Sequence, residues 1–361
     1  MMGRALKLTI FGESHGESVG MVLEGLPPGL ALDMEDISQE MERRAPGRSW
    51  TSTARREPDR VVIQSGLYQG KTTGTPLCGL IKNTDVRSAD YEALRGVARP
   101  GHADWTGHVK YGGYQDPRGG GHFSGRLTAP LVFAGAVARQ FLRRKGVAAG
   151  GHVLRLGGVA DRAFDPVLVN RTLLDNLREM EVPLLDLTAE AAMRQAIRDA
   201  VAAKDSVGGI VECAVTGLPA GLGAPFFDSM ESVLSHLLFS VPAVKAVEFG
   251  DGFGMADQRG SRVNDELYYD RDGSVRTRTN HNGGINGGLT NGMPLLFKAA
   301  VKPTPSIGAP QKTVNFLEEK EIDLEVGGRH DPCVVLRALP AVEAAAVLAA
   351  ADFLIEAGGE L

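Results

Sequence analysis

Cysteine is scarce in this sequence, and its placement excludes two common ways of stabilising a fold. The 361 residues include three cysteines, Cys78, Cys213 and Cys333, which are widely spaced and form no CxxC pair. An odd and sparse set excludes a disulfide framework and offers no spacing for a structural zinc site. We therefore expect free thiols in a reducing, cytoplasmic compartment.

Long hydrophobic runs and a strong net charge are also lacking. The first sixteen residues contain no apolar core as long as that of a signal peptide. We also expect no segment that approaches the ~20 apolar residues of a membrane span. The net charge of −5 gives no overall attraction to nucleic acid or to an acidic membrane. Cations that bind an anion must therefore come from local clusters.

Glycine, in contrast, is abundant. The chain contains 46 glycines, well above the usual ~7%. They cluster beside arginine, histidine, asparagine and serine at 119–125, 282–288 and 327–328. Two interpretations remain open: the glycines only reverse the chain in turns, or they let the backbone approach a bound ligand.

The hydrophobic pattern predicts an α+β fold. With 43% apolar and 23% charged residues, the chain is able to bury a large core. Apolar spacing predicts a helix over 33–44 capped by Asp33, a buried helix over 127–146, and a last helix from Pro340 to Gly358. It also predicts strands over 6–11, 20–25, 60–70, 76–82, 152–160, 208–219, 244–249 and 293–302. Because strands and helices do not alternate regularly, we expect helices packed on antiparallel sheets in a single domain spanning 1–361.

Residues 43–60 form a local cluster of positive charge. The segment RRAPGRSWTSTARREPDR contains six arginines and no lysine. A guanidinium can bind a carboxylate or a phosphate through two parallel hydrogen bonds. A solvated loop and a mobile basic loop that closes over an anionic substrate both fit this composition.

Residues 83–125 show no periodicity, so we expect no regular element there and a functional role. His102, Asp104 and His108 have a spacing that could ligate a metal. We disfavour a metal because no further ligand with clear spacing lies nearby. Arg99 beside His102 indicates an anion site with an adjacent proton donor or acceptor, since histidine exchanges a proton near neutral pH.

Further motifs suit an anion or a flat polar ring. RGGGHFSGR (118–126) can direct backbone N–H groups at an anion, but it is neither a GxxxxGK[ST] loop nor a dinucleotide GxGxxG motif. NHNGGINGGLTNGMP (280–294) offers amides and open backbone to a polar ring. Two polar groups follow near the end of the chain: Lys302, Thr304 and Ser306, and then Arg329, His330 and Asp331.

In combination, these segments resemble chorismate synthases. The matching pieces follow the family's order from residue 11 to about 350: FGESHG, RREPD, TTGTP, NTDVRSADY, RPGHAD, KYGGYQDPRGGGHFSGR, VPAVKAVEFGDGF, NHNGGINGG, KPTPSI and GRHDPC. The resemblance implies a single-domain β-α-β sandwich that assembles as a homotetramer. It also implies conversion of 5-enolpyruvylshikimate 3-phosphate to chorismate and phosphate, a 1,4-elimination that requires reduced FMN without net redox change.

The resemblance further implies roles for individual residues. His15 is similar to the family's histidine beside the substrate phosphate, a proton donor to the leaving group, and Ser14 would relay a proton. His102 resembles the histidine that keeps the flavin in its reactive protonation state. Asp331 and Ser124 resemble the groups that, with the flavin, remove the C6 proton.

The remaining site residues are implied as binding contacts, and no metal is implied. The arginines that would bind substrate or flavin phosphate are Arg44, Arg48, Arg99, Arg126 and Arg329. The positions that match FMN contacts are His122, Phe123, Ser124, Pro242, Ala243, Gly287, Lys302, Pro303, Thr304, Pro305, Ser306 and Arg329.

The sequence departs from the family pattern at three positions. Many members read GGGRSSAR where this chain reads GGGHFSGR, so His122 replaces an arginine and Phe123 a serine. Trp50 stands where many members have an arginine, in the basic loop associated with NADPH in members that reduce their own flavin. We hypothesise that this chain does not reduce FMN with NADPH by itself. Flavin reduction by NADPH and the purified protein alone would contradict this.

Two other classes of function remain as alternatives. An FMN-dependent oxidoreductase acting on an anionic substrate would use the same site and consume reductant in each turnover. A non-catalytic RNA- or anion-binding protein would need aromatic residues interleaved with its arginines, and only Trp50 lies near the arginine-rich segment.

Overall fold

Helices packed between two antiparallel sheets form the described part of the chain. The structure is a computed structural model that describes residues 2–46, 58–84, 95–327 and 331–358. Its helices are α1 (Met34–Arg44), α2 (Asp104–Tyr111), α3 (Thr128–Arg144), α4 (Arg171–Glu179), α5 (Glu190–Ala202), α6 (Met230–Leu238), α7 (Gly260–Val263) and α8 (Val335–Glu356).

The strands fall into two large sheets and several two-stranded hairpins. They are β1 (Lys7–Gly12), β2 (Ser18–Glu24), β3 (Val61–Ser65), β4 (Leu67–Tyr68), β5 (Lys71–Thr72), β6 (Leu77–Lys82), β7 (Ala148–Leu156), β8 (Val159–Ala160), β9 (Gly209–Thr216), β10 (Val244–Phe249), β11 (Leu267–Tyr269), β12 (Val275–Thr277), β13 (Ile285–Asn286), β14 (Leu289–Thr290), β15 (Leu295–Val301), β16 (Gln311–Asn315) and β17 (Lys320–Leu324). The first sheet has the order β1-β2-β6-β3, and the second has the order β10-β15-β9-β7-β8. Every pairing in both sheets is antiparallel.

The core lies between the two sheets and is centred on α3 and α8. α3 packs on β2 and β6 of the first sheet, α8 packs on β7 and β9 of the second, and the two helices pack on each other. They approach closely at Gly135, where an added Cβ would lie 2.4 Å from Ala344 Cβ. The layers run sheet, helices, sheet, which confirms the predicted α+β class and β-α-β sandwich.

The predicted α1 and the end of the last helix are confirmed. The Asp33 carboxylate accepts hydrogen bonds from the Glu35 and Asp36 N–H groups at the start of α1. Gly358 follows α8 with φ +86°, a conformation that favours glycine and ends a helix.

The predicted start of the last helix is wrong, because α8 begins at Val335 and contains Pro340. In the first turn of α8, the Arg337 and Ala338 N–H groups donate to the Val334 carbonyl. Proline has no N–H, so α8 forgoes the hydrogen bond that residue 340 would make to the Leu336 carbonyl. The buried apolar residues on both sides outweigh that loss.

The expectation of no regular element in 83–125 is also wrong, because α2 lies there. α2 has eight residues, and Gly107 is buried while Trp105 is half-exposed. A helix this short carries too few apolar repeats to stand out in the sequence.

Among the described helices, α8 alone is long and apolar enough to cross a membrane. It has 22 residues, and its mean hydropathy reaches 1.8 in an 18-residue window that is 94% buried inside the protein. The expectation that no segment approaches a membrane span is therefore wrong by length and composition. Its burial against α3 and the second sheet is that of a core helix.

Charged side chains also pack between the helices, in what we call the interhelical ion cluster. Glu343 of α8 pairs with Arg43 at 2.7 Å and with Arg139 at 3.1 Å, and Asp36 pairs with Arg178 at 2.7 Å. The cluster consists of Asp36, Glu40, Arg43, Arg139, Arg143, Arg178 and Glu343. It ties α1, α3, α4 and α8 together.

Candidate active site

Three consecutive glycines bring His15 and His102 to one loop. Gly119, Gly120 and Gly121 have φ values of +62°, +90° and +53°, which side chains rarely adopt. A Cβ on Gly119 would lie 2.0 Å from His15 Cε1, and a Cβ on Gly120 would lie 3.1 Å from His102 Nε2. The two histidines predicted to be catalytic therefore pack on adjacent residues of this glycine loop. The missing side chains of Gly119 and Gly120 make room for the two imidazoles. These glycines therefore do more than reverse the chain in a turn.

The GESHG segment forms the turn between β1 and β2. Ser14 and His15 are buried, with 1% and 7% of their surface exposed. The Ser14 hydroxyl donates to the Arg118 carbonyl at 3.2 Å and lies 3.2 Å from His15 Nδ1. Because that hydroxyl donates to the Arg118 carbonyl, its oxygen can accept a hydrogen bond from His15 Nδ1–H. The Ser14 N–H donates to the Gly121 carbonyl at 3.2 Å, so the turn is bonded directly to the glycine loop.

Glu13 in the same turn is an acidic group that the sequence interpretation did not single out. Its Oε2 atom is buried without a hydrogen-bond partner among the described residues. Burial raises the pKa of Glu13 above its ordinary value, with the charge of His122 opposing and that of Asp116 adding to the rise. A carboxyl that holds its proton more tightly therefore lies beside the glycine loop.

Asn83 and Arg126 support the GESHG turn through hydrogen bonds. The Asn83 amide donates to the carbonyls of Glu13 at 3.0 Å and Gly16 at 2.8 Å. Arg126 Nε donates to Asn83 Oδ1 at 2.9 Å. Arg126 therefore supports the backbone on both sides of His15.

Asp59 joins two of the arginines predicted to bind substrate. Arg44 Nε donates to Asp59 Oδ2 at 2.8 Å, and Arg126 NH1 donates to Asp59 Oδ1. Burial lowers the pKa of Arg44 to about 10; Asp59 opposes this effect, and Arg337 and Arg126 add to it. Arg44 therefore remains charged at neutral pH. We call Arg44, Asp59, Asn83 and Arg126 the Asp59 cluster.

Asp331 lies next to the Asp59 cluster. Arg337 NH1 donates to Asp331 Oδ2 at 2.5 Å, and Arg337 Nε donates to the Arg44 carbonyl at 3.2 Å. Arg337 thus connects the predicted C6 base to the end of α1, and it was not predicted.

His102 lies in a compact group with Arg99 and Asp104. His102 Nδ1 is 2.8 Å from Asp104 Oδ1, and Arg99 donates to both Asp104 oxygens through Nε and NH2 at 2.8 Å. Burial alone would raise the pKa of Asp104, but hydrogen bonds from Arg99 and His102 hold it well below its usual range. Asp104 is therefore a permanent anion beside the histidine.

The predicted cofactor residues near 242 and 302 are bonded to one another and to the segment that carries Arg99 and His102. The Lys302 N–H donates to the Ala243 carbonyl at 2.9 Å, and Lys302 Nζ donates to the Gly101 carbonyl at 2.5 Å. Ser306 Oγ accepts from Arg99 NH1 at 3.4 Å. Ala243 has φ +74°, unusual for a residue with a side chain. Such local strain clusters at functional sites.

Two cavities adjoin these residues. The first is narrow and is lined by residues that include Arg99, His102, Asp104, Gly120, Phe123 and Phe316. The second is lined by residues that include Lys204, Asp205, Ser306, Glu325 and Pro332. Because Ser306 bonds to Arg99, it lies between the two cavities.

The other implied contacts are distributed more widely. Ser124 Oγ accepts from the Arg126 N–H at 3.3 Å, next to the glycine loop. His122 is exposed, with Nδ1 3.0 Å from the Gly12 carbonyl, and Phe123 packs against Tyr111 at a ring distance of 6.1 Å. Gly287 lies in the turn of the β13–β14 hairpin, whereas Lys302 follows the end of β15. Arg48, Trp50 and Arg329 lie outside the described residues.

No group of three or more histidine, cysteine or acidic residues that could hold a metal occurs within the described residues. His108, which the spacing grouped with His102 and Asp104, packs instead against Phe316 in a tilted arrangement with ring centroids 4.6 Å apart.

Asp59, Asn83 and Arg337 are the supporting residues that sequence reasoning missed. Asp59 and Asn83 lie in segments that carried the family resemblance, RREPD and NTDVRSADY, which was an available signal. No signal in the sequence pointed to Arg337, because its partners depend on where α8 begins.

Comparisons with known proteins identify one family. The family model for chorismate synthase matches residues 6–355. A curated chorismate synthase from Dehalococcoides mccartyi is 44% identical over 357 residues, covering 99% of this chain and 97% of the relative. One from Pyrococcus abyssi is 46% identical over 356 residues, covering 98% and 97%.

A solved structure gives the same result for the fold. It is described as "Crystal Structure of Chorismate Synthase" and matches with a TM-score of 0.77 at 26% sequence identity, covering 99% of this chain and 94% of that one. The chain belongs to the chorismate synthase family, lyases that act in aromatic amino-acid biosynthesis.

Proposed function

We propose that this enzyme converts 5-enolpyruvylshikimate 3-phosphate to chorismate and phosphate by an anti-1,4-elimination. The reaction breaks the C–O bond to phosphate and the C–H bond at C6. The observation that carries the proposal is the packing of His15 and His102 on consecutive glycines, with Arg99 and its bonded Asp104 beside them. A substrate that loses a phosphate needs a proton donor and a cation close to the leaving oxygen.

The residues around the glycine loop fit a flavin mononucleotide. Thr304 Oγ1 is buried without a hydrogen-bond partner among the described residues, so it is available to a bound polar group. Lys302 supplies a cation nearby. His122, Phe123, Ser124, Pro242, Ala243 and the segment 302–306, with Arg329, would hold the cofactor. When bound, reduced FMN supplies the electron-rich ring that this elimination requires.

Each polar side chain then has a distinct task. His15 donates a proton to the departing phosphate, with Ser14 able to relay a proton at Nδ1. His102 holds a proton near the flavin, and Asp331 with Ser124 receives the C6 proton. Arg44, Arg48, Arg99, Arg126 and Arg329 bind substrate or phosphate. Asp59 fixes the orientation of Arg44 and Arg126, because both guanidinium groups donate hydrogen bonds to it.

The proposal includes a cytoplasmic homotetramer of single-domain subunits with no nucleic-acid or membrane partner. Of the basic loop predicted at 43–60, Arg43 and Arg44 are instead the last residues of α1, where they pair with Glu343 and Asp59, and residues 47–57 lie outside the described residues. Gly287 supports an oligomer, because no atom of the described residues lies within 4 Å of a Cβ added there, which leaves room for a group from another subunit. The mass measured by light scattering tests this, and a monomer that turns over at full rate would contradict it.

Anaerobic turnover with pre-reduced FMN tests the function. We expect phosphate and chorismate in equal amounts, without consumption of reductant in each turnover. His15→Ala, His102→Ala and Asp331→Ala should each lower kcat by roughly 100-fold or more, as expected for loss of a general acid or base.

The control is His236→Ala, which removes an exposed histidine of α6 and should leave kcat unchanged. No phosphate release by the parent protein would overturn the proposal. Consumption of one reductant per turnover would instead favour the FMN-dependent oxidoreductase. Full activity in all three variants would reject the assigned residues while leaving the reaction in place.

A further inference from the structure

Asp104 is a carboxylate of the site to which the proposed reaction gives no task. It is the first residue of α2, and its side chain is 15% exposed. Arg99 donates to it three times, from the backbone N–H at 3.0 Å and from Nε and NH2 at 2.8 Å. Asp104 therefore has a fixed position and a fixed negative charge.

The contacts of His102 Nδ1 determine where the imidazole carries its proton. Nδ1 lies 2.8 Å from Asp104 Oδ1 and 3.2 Å from Arg99 NH2. An ionised carboxylate can only accept, and a guanidinium can only donate. Arg99 NH2 already donates to Asp104 Oδ1. A hydrogen on Nδ1 satisfies the shorter contact, whereas a lone pair there would face an anion.

The other nitrogen then faces the glycine loop. A Cβ on Gly120 would lie 3.1 Å from His102 Nε2 and 3.8 Å from Ser124 Cβ. With Nδ1 committed to Asp104, Nε2 is the atom that can accept and return a proton on this side.

We propose that Asp104 is a positioning residue that holds His102 with its hydrogen on Nδ1, so that Nε2 exchanges the proton beside Gly120. The inference rests on the proposed function of the site and deepens it. Carboxylates that bond the remote nitrogen of a histidine fix its tautomer and ring orientation in this way. Asp104 acts through His102 and does not itself touch the reacting groups.

Nitrogen NMR of the histidine-labelled protein tests the tautomer without any turnover. The His102 signals are identified as those that disappear in His102→Ala. We expect the hydrogen on Nδ1 in the parent protein, and a shift of the population toward Nε2–H in Asp104→Asn, because the amide has lost the negative charge. A hydrogen on Nε2 alone in the parent, or an unchanged His102 spectrum in Asp104→Asn, would overturn the inference.

A double-mutant cycle on kcat tests the consequence for the reaction. Asp104→Asn should lower kcat about 10- to 100-fold, as loss of such supporting partners does. In the His102→Ala background the same change should alter kcat less than about twofold, since contacting residues are not additive. Asp104→Glu, which keeps the charge, should recover part of the rate.

If Asp104→Asn lowered kcat by the same factor with and without His102→Ala, the two effects would be independent. Asp104 would then have a purely structural role. Asp270→Asn is the control for loss of a carboxylate paired with arginine, because Asp270 pairs with Arg276 at 3.1 Å in the β11–β12 hairpin. It should leave kcat unchanged. If the parent protein released no phosphate, the proposed function would fall, and the NMR result would still decide the tautomer.

Discussion

At the scale of single residues, the glycine loop determines where two histidines can lie. His15 and His102 come from segments 87 positions apart, yet each contacts the loop where a neighbouring residue would have a side chain. Their separation therefore depends on backbone atoms, which move less than side chains do. Reacting groups held this way need little reorganisation during the reaction.

Gly119→Ala should abolish most of the activity. The residue has φ +62°, and its new Cβ would lie 2.0 Å from His15 Cε1, so the ring must move. A displacement of about 1 Å can cost roughly 100-fold in rate, and we expect a loss of at least that size in kcat. Gly125→Ala is the control, because no atom lies within 4 Å of its added Cβ. Equal rates in the two variants would show that the loop does not position His15.

The sequence showed which residue types suit the chemistry but not how they are paired. Arg44 and Arg126 were predicted as anion ligands from the family resemblance, which suits their charge. Their shared partner Asp59 lies 15 and 67 residues away along the chain. Pairing over such separations depends on the tertiary fold, so charge alone could not reveal that these arginines also support the His15 turn.

At the scale of elements, the contact between α3 and α8 depends on one small residue. Gly135 lies within the buried part of α3, opposite Ala344 of α8. Glycine normally weakens a helix interior by about 1 kcal/mol relative to alanine. Here it allows the two helices to approach.

Gly135→Ala should destabilise the protein despite the better helix propensity. The added Cβ would lie 2.4 Å from Ala344 Cβ and 2.7 Å from Ala344 Cα. Overpacking costs about 1–3 kcal/mol, which exceeds the gain of about 1 kcal/mol from propensity. Urea unfolding at neutral pH measures the difference. Gly260→Ala in α7, where no atom lies within 4 Å of the added Cβ, should be neutral. Equal stability of Gly135→Ala and the parent would contradict the close packing.

Elements with strong local signals were predictable, and those set by packing were not. α1 had a capping aspartate and a clear apolar face, and its range agrees with the prediction. The start of α8 was placed at Pro340 because proline favours a first turn. The structure extends α8 to Val335 because the added turn is buried, and burial is not visible in the local sequence.

At the scale of the whole molecule, the interhelical ion cluster links stability to pH. Burial would raise the pKa of Glu40, but Arg43, Arg139 and Arg178 outweigh it and hold the pKa far below the ordinary 4.5. The pKa of Asp36 is also lowered, because Arg178 and Arg143 outweigh the effect of burial. Carboxyls with lowered pKa values stabilise the fold above their unfolded pKa and lose that contribution as pH falls.

The free energy of unfolding should therefore fall as the pH is lowered below about 4.5. Glu40→Gln removes one carboxylate from three buried arginines, and we expect it to cost about 3–5 kcal/mol at pH 7. Its further loss between pH 5 and pH 3 should be smaller than that of the parent. Urea unfolding at several pH values measures both effects. Glu42→Gln, at an exposed position of the same helix, should match the parent; identical pH profiles for Glu40→Gln and the parent would refute the assignment.

The fold class was predictable, but the order of strands was not. The irregular alternation of elements predicted α+β layers, which the structure confirms. β6 lies between β2 and β3, and β15 lies between β9 and β10, so neighbours in the sheets are often distant in sequence. Such pairings depend on how both sheets cover α3 and α8.

The glycine loop also limits how this sequence can drift over generations. At positions 119 to 121, every replacement of glycine by another amino acid adds a side chain where His15, His102 or the Asp116 carbonyl already lies. His122 is exposed and meets no such barrier. A lineage can therefore vary residue 122 more freely than the three glycines before it.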